Sequence, residues 1–277
     1  MRTGCRSNLN FCKKNADYYD AAAYRAAFDQ QTVKDINAWV KKNTDGLINK
    51  ILDEIEDSAM LILLNAIVFD AEWESVYIKD NVRKDDFTDA TGVVKKTDFM
   101  HSSEYGYLDD GMATGFIKPY VGGGYSFAAL LPNEEISIET YVDSLTGESF
   151  LSIMNNAQRD MLVQASLPKF KYDYEREMGD DLKELGMIDA FNSTKANFSK
   201  MGKSSDNKLF VGGVLHKTYI AVDELGTKAG AVTMVMVSGS SSGPSDYKTV
   251  HLNRPFVFAI IDNATNLPVF IGTLMTV

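Results

Sequence analysis

The sequence has few of the residues that carry the commonest catalytic and metal-binding chemistry. It contains 2 cysteines and 3 histidines in 277 residues. Cys5 and Cys12 both lie near the N-terminus and are compatible with a disulfide, with free thiols or with exposed thiols, so they report no redox compartment. His101, His216 and His251 stand too far apart in sequence to show the spacing of metal ligands. We therefore predict no metal site and no cofactor.

Positive charge and long apolar runs are also scarce. The chain has 28 Lys and Arg residues against 38 Asp and Glu residues, which gives a net charge of −10 and a pI near 4.8. This balance argues against nucleic acid or an anionic membrane as a partner. No apolar run approaches the ~20 residues of a membrane-spanning helix. Residues 1–7 lack the apolar stretch of a signal peptide, so a secreted form would need a signal outside this chain.

The glycine-rich stretches lack the partners that nucleotide-binding and catalytic motifs need. Residues 122–124 are glycines, but no Lys-Ser or Lys-Thr pair follows them, so they do not form a phosphate-binding loop. Residues 124–128 lack the final glycine of a nucleophile elbow. We predict a hairpin turn here. The 45% hydrophobic content is enough for a sizeable core in one large domain or two smaller ones.

The most informative stretch begins at the acidic pair Asp223 and Glu224. Gly226 supplies a permissive backbone point, and residues 227–237 carry a single charge, Lys228. Alternate residues of a strand point to the same face, so one face of this run is small and uncharged and fits between two existing strands. Residues 238–245 are predicted to be a loop of Ser, Gly and Pro. The alternative is an ordinary strand followed by a Ser-rich linker.

Residues 224–231 (Glu-Leu-Gly-Thr-Lys-Ala-Gly-Ala) resemble the reactive-loop hinge of the serpin family. Other motifs similar to those of the family follow the family's order along the chain. They are residues 64–69 with Trp73, 99–101, 128–133, 167–170, 185–191, 196–199, 215–217, 253–256 and 270–272. The resemblance covers almost the whole chain and indicates a bacterial-type or otherwise divergent member.

The resemblance implies an α+β fold. In it a mixed, multi-stranded main β-sheet and a second closing sheet are surrounded by helices. We expect a single domain over residues 1–277, with an exposed reactive-centre loop at residues 224–245. The family's N-terminal helices do not appear in this sequence, so we expect an incomplete domain, either a fragment or a shortened member. A complete domain is expected to be a monomer, whereas the shortened chain is open to self-association.

The resemblance also implies a function, the suicide inhibition of serine proteases and also of cysteine proteases. In this family the protease cuts the exposed loop as a substrate and forms an acyl-enzyme, and the loop then inserts as a new strand that carries the protease with it. The inhibitor supplies no catalytic residues, so we predict that the chain is not an enzyme. Family resemblance further implies an extracellular protein.

The same resemblance assigns the residues of the loop. The hinge residues are Glu224, Gly226, Thr227, Ala229, Gly230 and Ala231. Family spacing puts the reactive bond between Ser240 and Ser241, in a range that includes Val237, Ser238, Gly239 and Ser242. These small neutral residues suit elastase-like or subtilisin-like pockets. Val232 would slow insertion and thereby favour cleavage of the loop as a plain substrate.

A further group of residues is predicted to lie where the main sheet opens. By resemblance this group contains Asn65, Trp73 and His216, and the loop is expected to enter between the strands at residues 60–69 and 209–222. The plain alternatives are a solvated asparagine, a core tryptophan and a structural histidine.

Two other functions stay open from the sequence. One is a non-inhibitory or inactive shortened serpin-like protein, which is cleaved as a substrate or acts as a binding or storage protein. The other is an unrelated hydrolase that uses one of the histidines, although no nucleophile, base and acid are recognisably arranged.

Hydrophobic periodicity predicts the elements around these motifs. Residues 8–28 are predicted to begin as a helix and end as a short strand at 22–28. Within residues 32–55 a helix is predicted to begin at Thr32, with Thr32 and Asp35 as a capping box, and to end at Asp45 and Gly46, and residues 47–55 are expected to open a second helical turn or two. Another helix is predicted at 174–185, stopped by Gly186. Strands are predicted at 60–69, 161–170 and 209–222, and a closing hairpin is predicted from strands at 256–261 and 267–274 around a turn at 262–266. The strand at 60–69 is expected to be buried on both faces, so that Asn65 would need a hydrogen-bond partner.

Overall fold

The structure, a computed structural model, describes residues 6–56, 59–203, 209–227 and 246–277. The chain forms two compact units. Unit 1 contains Met1–Val68 and Tyr172–Tyr219, and unit 2 contains Phe69–Lys171 and Ile220–Val277. None of the helices in these described ranges is long and apolar enough to cross a membrane.

Helices and strands are both well represented, and the fold is α+β, as predicted. The helices are α1 (Leu9–Tyr19), α2 (Gln30–Asn43), α3 (Ile138–Ser144), α4 (Gly147–Asn155) and α5 (Gly179–Glu184). The strands are β1 (Arg6–Ser7), β2 (Ile62–Val68), β3 (Ala71–Glu72), β4 (Val82–Thr88), β5 (Val94–Asp109), β6 (Ala113–Pro119), β7 (Tyr125–Pro132), β8 (Gln158–Pro168), β9 (Phe170–Glu177), β10 (Gly202–Lys203), β11 (Gly213–Val222), β12 (Gly226–Thr227), β13 (Tyr247–His251), β14 (Phe256–Asp262) and β15 (Pro268–Leu274).

Helix α2 of unit 1 begins at a reciprocal cap. The carboxylate of Asp29 accepts the backbone N–H of Thr32 at 2.9 Å, and the Thr32 hydroxyl oxygen accepts the N–H of Asp29 at 3.3 Å. Both N–H groups lack a partner inside the helix, so this capping box stabilises the first turn. The predicted box of Thr32 with Asp35 is therefore wrong, because Thr32 is the third helical residue and not the cap.

Helix α2 ends at Asn43, just before the Asp45 and Gly46 that the sequence predicts as its end, whereas the further helical turns predicted at residues 47–55 do not form. Asp45 and Gly46 follow with positive φ angles of 50° and 80°, so the Asp-Gly pair stops the helix as the sequence indicates. The apolar residues beyond this stop pack against α2 as an irregular segment. They form a cluster that contains Val33, Val40, Ile48, Ile51 and Leu52.

Asn37 fastens this irregular segment to helix α2. Its side-chain oxygen accepts the N–H groups of Ile51 at 2.8 Å and Leu52 at 3.3 Å, and its amide donates to the carbonyl of Leu52 at 2.9 Å. The side chain therefore satisfies backbone groups that a helix would otherwise have paired internally.

Strand β2 pairs with β11 in parallel, and the register brings Asn65 opposite His216. The side chains of Leu63, Asn65 and Ile67 are exposed, whereas alternate residues such as Leu64 pack in the cluster of α2. The predicted burial on both faces is wrong, because only one face of this strand packs against apolar side chains in unit 1. An exposed amide is solvated, so Asn65 does not need the protein partner that burial would have demanded.

Two more predicted elements of unit 1 take another form. Residues 22–28 form no regular strand. The predicted helix at 174–185 begins as strand β9, and only α5 is helical before Gly186, whose φ of 98° ends it. The reason is Glu177, whose carboxylate accepts the N–H of Val214 in β11 at 2.8 Å and the N–H of Gly179 at 2.9 Å. These contacts tie residue 177 to a strand and delay the helix.

Unit 2 is built on an eight-stranded sheet in the order β13-β8-β5-β6-β7-β14-β15, with β4 paired to β5. Successive side chains of its central strands point to opposite faces. Phe116, Phe127 and Phe258 join an aromatic cluster on one face, while Ile117 and Val257 pack with α3 and α4 in a cluster on the other. The sheet is therefore covered by apolar side chains on both faces, which explains its continuous hydrophobic strands.

Two hairpin turns of unit 2 confirm predictions from the sequence. Gly122 and Gly123, with φ angles of 85° and 67°, form the turn between β6 and β7. The carboxylate of Asp262 accepts the N–H groups of Ala264 and Thr265 at 2.9 Å each and closes the turn between β14 and β15. In both turns the residue type supplies the local geometry, since glycine adopts positive φ without strain and aspartate binds nearby N–H groups.

Candidate functional site

The segment that begins the predicted loop leaves strand β11 through a tight turn in unit 2. The Asp223 carboxylate accepts the N–H groups of Leu225 at 2.9 Å and Gly226 at 3.3 Å, and the N–H of Asp223 donates to the carbonyl of Gly226 at 3.0 Å. These are the local bonds by which aspartate stabilises a turn. The chain reverses here, and Thr227 of β12 lies opposite Val222 of β11.

Strand β12 is paired on both of its edges. On the edge away from β11 it pairs antiparallel with β3, where Gly226 lies opposite Glu72 and Thr227 opposite Ala71. A Cβ atom on Gly226 would lie 2.2 Å from the carbonyl oxygen of Ala71, so this approach requires glycine. Gly226 and Thr227 are therefore already incorporated in a sheet.

Thr227 is completely buried, and its hydroxyl has a specific partner. Thr227 Oγ1 lies 2.6 Å from Tyr120 Oη, and Tyr120 is itself only 1% exposed. Burial raises the pKa of Tyr120, although the bond to Thr227 opposes the shift, so the phenol is neutral at ordinary pH. A buried hydroxyl without a partner destabilises a protein, and Tyr120 removes that penalty for Thr227.

Trp73 holds the turn from the side of β3. Its backbone N–H donates to the carbonyl of Leu225, and its indole Nε1–H donates to the carbonyl of Asp223, each at 2.9 Å. The indole stacks on the ring of Tyr120, with centroids 4.5 Å apart and planes 12° apart. Because Tyr120 also binds Thr227, the Trp73–Tyr120 stack connects the turn to the strand that follows it.

Glu224 is held by its backbone and by its side chain. Its carbonyl accepts the N–H of Tyr77 at 2.9 Å, and its carboxylate forms an ion pair with Lys169. Both charged side chains are about a third exposed, with fractions of 29% for Lys169 and 32% for Glu224. Water screens the pair accordingly, so it orients the turn more than it stabilises the fold.

Three of the predicted hinge residues, Glu224, Gly226 and Thr227, thus lie together with Trp73 in unit 2. The remaining hinge residues Ala229, Gly230 and Ala231, and the reactive-bond residues Val237, Ser238, Gly239, Ser240, Ser241 and Ser242, lie outside the described residues. Asn65 and His216 face each other in the β2–β11 pair of unit 1.

The other histidines of the sequence occupy the large sheet. His101 Nδ1 lies 2.9 Å from the hydroxyl of Ser166, and burial lowers the pKa of His101. His251 packs edge-on against Phe99. In the part of the chain that the structure describes, no cluster of three His, Cys, Asp or Glu residues is arranged to hold a metal ion.

Sequence reasoning missed several residues that surround the turn, namely Tyr77, Glu104, Lys118, Tyr120 and Lys169. Lys169 stands inside a motif that resembles the family, yet the motif alone assigns it no partner. Lys118 could have been noticed in the sequence, because it is the single charged residue of strand β6. A charge at such a position must find a buried partner, and the sequence does not say which.

Comparisons with known proteins agree with this geometry. A family model described as "Serpin (serine protease inhibitor)" matches residues 1–277. Serpin B3 of Homo sapiens is 33% identical over 88% of this chain and 63% of its own length. Leukocyte elastase inhibitor A of Mus musculus is 30% identical over 86% of this chain and 65% of its own length. The thermophilic serpin tengpin in its native state is 51% identical, with a TM-score of 0.94, over 100% of this chain and 71% of that one.

The chain is shorter than these proteins. It spans 63% and 65% of the two curated relatives, which is less than two thirds of their length.

Proposed function

The chain belongs to the serpin family, and we propose that it is a serpin-type inhibitor of serine proteases that acts through cleavage and insertion of the loop at residues 224–245. The family is one of protease inhibitors and not of catalysts, in agreement with the prediction that the chain is not an enzyme. The observation that carries the proposal is strand β12, in which the first loop residues are already paired on both edges. A segment that has begun to pair as a strand can extend that pairing once its far end is free.

The chemistry of the proposed reaction belongs to the protease. Its serine attacks the carbonyl carbon of Ser240, the bond to the nitrogen of Ser241 breaks, and that nitrogen leaves with a proton from the protease histidine. An ester then joins the protease to the new end of the loop. Insertion that is faster than hydrolysis of this ester would retain the acyl-enzyme.

Insertion requires a position in the sheet for the cleaved loop and a loop long enough to carry the protease. We propose that it enters between β2 and β11, which would have to separate along the register in which Asn65 faces His216. Residues 227–240 could span at most ~46 Å as a strand, at 3.3 Å per residue. This reach is sufficient to move an attached protease across a domain of this size.

The preferred protease is proposed from the small neutral residues at 237–242, which suit an elastase-like or subtilisin-like pocket. The name of the mouse relative, leukocyte elastase inhibitor A, points to the same class. A serine protease of this class is therefore the proposed partner, and a cysteine protease with a similar pocket is the second choice. An extracellular site of action is proposed from the family resemblance.

Incubation with an elastase and with subtilisin tests the proposal. The expected result is a complex of protease and inhibitor that survives denaturation, together with a released C-terminal peptide that begins at Ser241. If the protease cuts the loop but no such complex forms, the non-inhibitory interpretation is correct for this chain. A peptide that begins outside residues 238–243 would contradict the proposed bond.

Thr227→Arg tests whether complex formation requires insertion of the loop. Thr227 is fully buried in β12, and a guanidinium cannot occupy that position without losing its hydration. We expect this variant to be cleaved at the same bond without forming the complex. Thr88→Arg, at an exposed position of strand β4, is the matched control and should leave complex formation unchanged.

A further inference from the structure

A buried ion pair lies in unit 2 next to the turn that begins the loop. Lys118 of β6 is 1% exposed and Glu104 of β5 is 6% exposed, and Lys118 Nζ lies 2.6 Å from Glu104 Oε1. Burial lowers the pKa of Lys118, while the carboxylate of Glu104 opposes that shift and favours the charged ammonium. Neither residue belongs to the loop itself, and the function proposed above assigns the pair no role.

The ammonium of Lys118 also contacts two aromatic rings. Its Nζ lies 4.4 Å from the centroid of the Tyr77 ring and 5.4 Å from that of the Trp73 ring, and the two rings meet edge to face. A cation over an aromatic face attracts it, most strongly where water is excluded. One anchored cation therefore holds two rings at once.

These two rings belong to the residues that hold the turn. The backbone N–H of Trp73 donates to the carbonyl of Leu225, its indole N–H donates to that of Asp223, and the N–H of Tyr77 donates to that of Glu224. Every residue of the turn at 223–225 thus has its carbonyl bound by Trp73 or Tyr77. A shift of the Trp73 ring would loosen its indole bond directly, and a shift of either ring would act on the two backbone bonds through the main chain of Trp73 and Tyr77.

We propose that the Lys118–Glu104 pair is a positioning element for the loop: it fixes the rings of Trp73 and Tyr77, and through them it holds the turn at residues 223–225. Glu104 places the ammonium, and the ammonium places the rings. A looser turn would change how readily strand β12 detaches or lengthens. Whether this change affects inhibition rests on the proposed function.

If the Lys118–Glu104 pair only fills the core, its replacement has a different expected result from the one that the positioning role predicts. Desolvation offsets most of the attraction within a buried ion pair, and well-packed apolar residues of similar volume often support the same or greater stability. Glu104→Leu with Lys118→Met removes both charges and keeps apolar volume. If the pair only fills the core, this double variant should fold with an unchanged turn. If the pair positions the rings, the double variant should fold and the turn should loosen.

Hydrogen exchange measured by NMR separates the two cases without a protease. The probes are the indole N–H of Trp73 and the backbone N–H groups of Trp73 and Tyr77. Trp39→Phe assigns the indole signals, because Trp39 and Trp73 are the two tryptophans of the chain. We expect exchange at these probes to be about 30-fold faster in the double variant, the size of one lost desolvated cation–ring contact. Unchanged exchange in a folded double variant would overturn the proposal.

Val257→Ala is the matched control for general destabilisation. Val257 is buried in the cluster on the other face of the same sheet. It should lower the free energy of unfolding while leaving the turn probes slow relative to the rest of unit 2. Should the double variant not fold, Glu104→Gln replaces it, with faster exchange supporting the proposal and unchanged exchange contradicting it.

The outcome also separates this proposal from the proposed function. Faster exchange in the variant, together with no protease complex from the unaltered chain, would sustain the positioning role and contradict inhibition. With inhibition present, the variant should shift the ratio of complex to cleaved chain, and Val257→Ala should not.

Discussion

Thr227 Oγ1 and Tyr120 Oη lie 2.6 Å apart in the interior of unit 2, although the residues are 107 positions apart in the chain. The two side chains are at most 1% exposed, and Tyr120 also stacks on Trp73, which binds the preceding turn. The start of the loop is therefore bound by a buried hydroxyl pair as well as by backbone pairing. Its retention in the sheet depends on side chains that can be changed one at a time.

Tyr120→Phe should release Thr227 from this contact. The hydroxyl of Thr227 would stay buried without a partner, so we expect the free energy of unfolding to fall by about 1–3 kcal/mol. Urea titration measures this loss. Combination with Thr227→Val should restore part of it, because both polar partners are then gone. Tyr141→Phe is the control: it removes a bond to Asp110 and not to Thr227, so Thr227→Val should not restore the stability that it loses. Equal stability of Tyr120→Phe and the unaltered chain would contradict the prediction.

Gly226→Ala should disrupt strand β12. The new Cβ would lie 2.2 Å from the carbonyl oxygen of Ala71 and 2.8 Å from the Cα of Glu72, both of which are backbone atoms that cannot rotate away. We expect β12 to detach from β3, so that the N–H groups in this pairing exchange rapidly. Gly124→Ala offers the control, since nothing lies within 4 Å of a Cβ at that position. Slow exchange at Thr227 in the Gly226→Ala variant would show that the backbone adapts.

The Lys169–Glu224 pair should couple weakly and respond to salt. Both side chains are about a third exposed, so a double-mutant cycle with Lys169→Met and Glu224→Gln is expected to give at most about 1 kcal/mol. The coupling should shrink as the salt concentration rises. Lys96–Asp86, a more exposed pair in the same unit, serves as the reference. A coupling energy above about 1 kcal/mol that does not change with salt concentration would mean that the pair is shielded from water.

Asn37→Ala should destabilise unit 1. The change removes the acceptor for the N–H groups of Ile51 and Leu52 and the donor to the carbonyl of Leu52. We expect a loss of about 2–3 kcal/mol in the free energy of unfolding, the range for buried groups left unpaired. Asn43→Ala is the control, since its exposed amide donates to the carbonyl of Trp39 within the same helix α2. Similar losses from the two variants would contradict the role assigned to Asn37.

The sequence was a good guide where one short stretch carries the whole signal. The glycines at 122–124 specified a turn, Asp45 and Gly46 ended helix α2, and the hairpin of β14 and β15 was predicted within a residue or two. Prediction from the sequence failed where a residue far along the chain determines the burial or the secondary structure of a segment. Strand β2 is apolar in sequence yet exposed on one face, and the predicted helix at 174–185 gave way to a strand because Glu177 binds β11.

The loop sequence is sufficient to predict how the loop begins: the acidic pair at 223 and 224 ends a strand, Gly226 permits close approach, and the small residues that follow can pair as a strand. These are local properties, set by side-chain size and backbone freedom within a few positions. The burial of Thr227 against Tyr120, and the contact of Lys118 with Glu104 next to the rings of Trp73 and Tyr77, depend on the folded chain. Those partners come from separate strands of the chain, and folding alone brings them together.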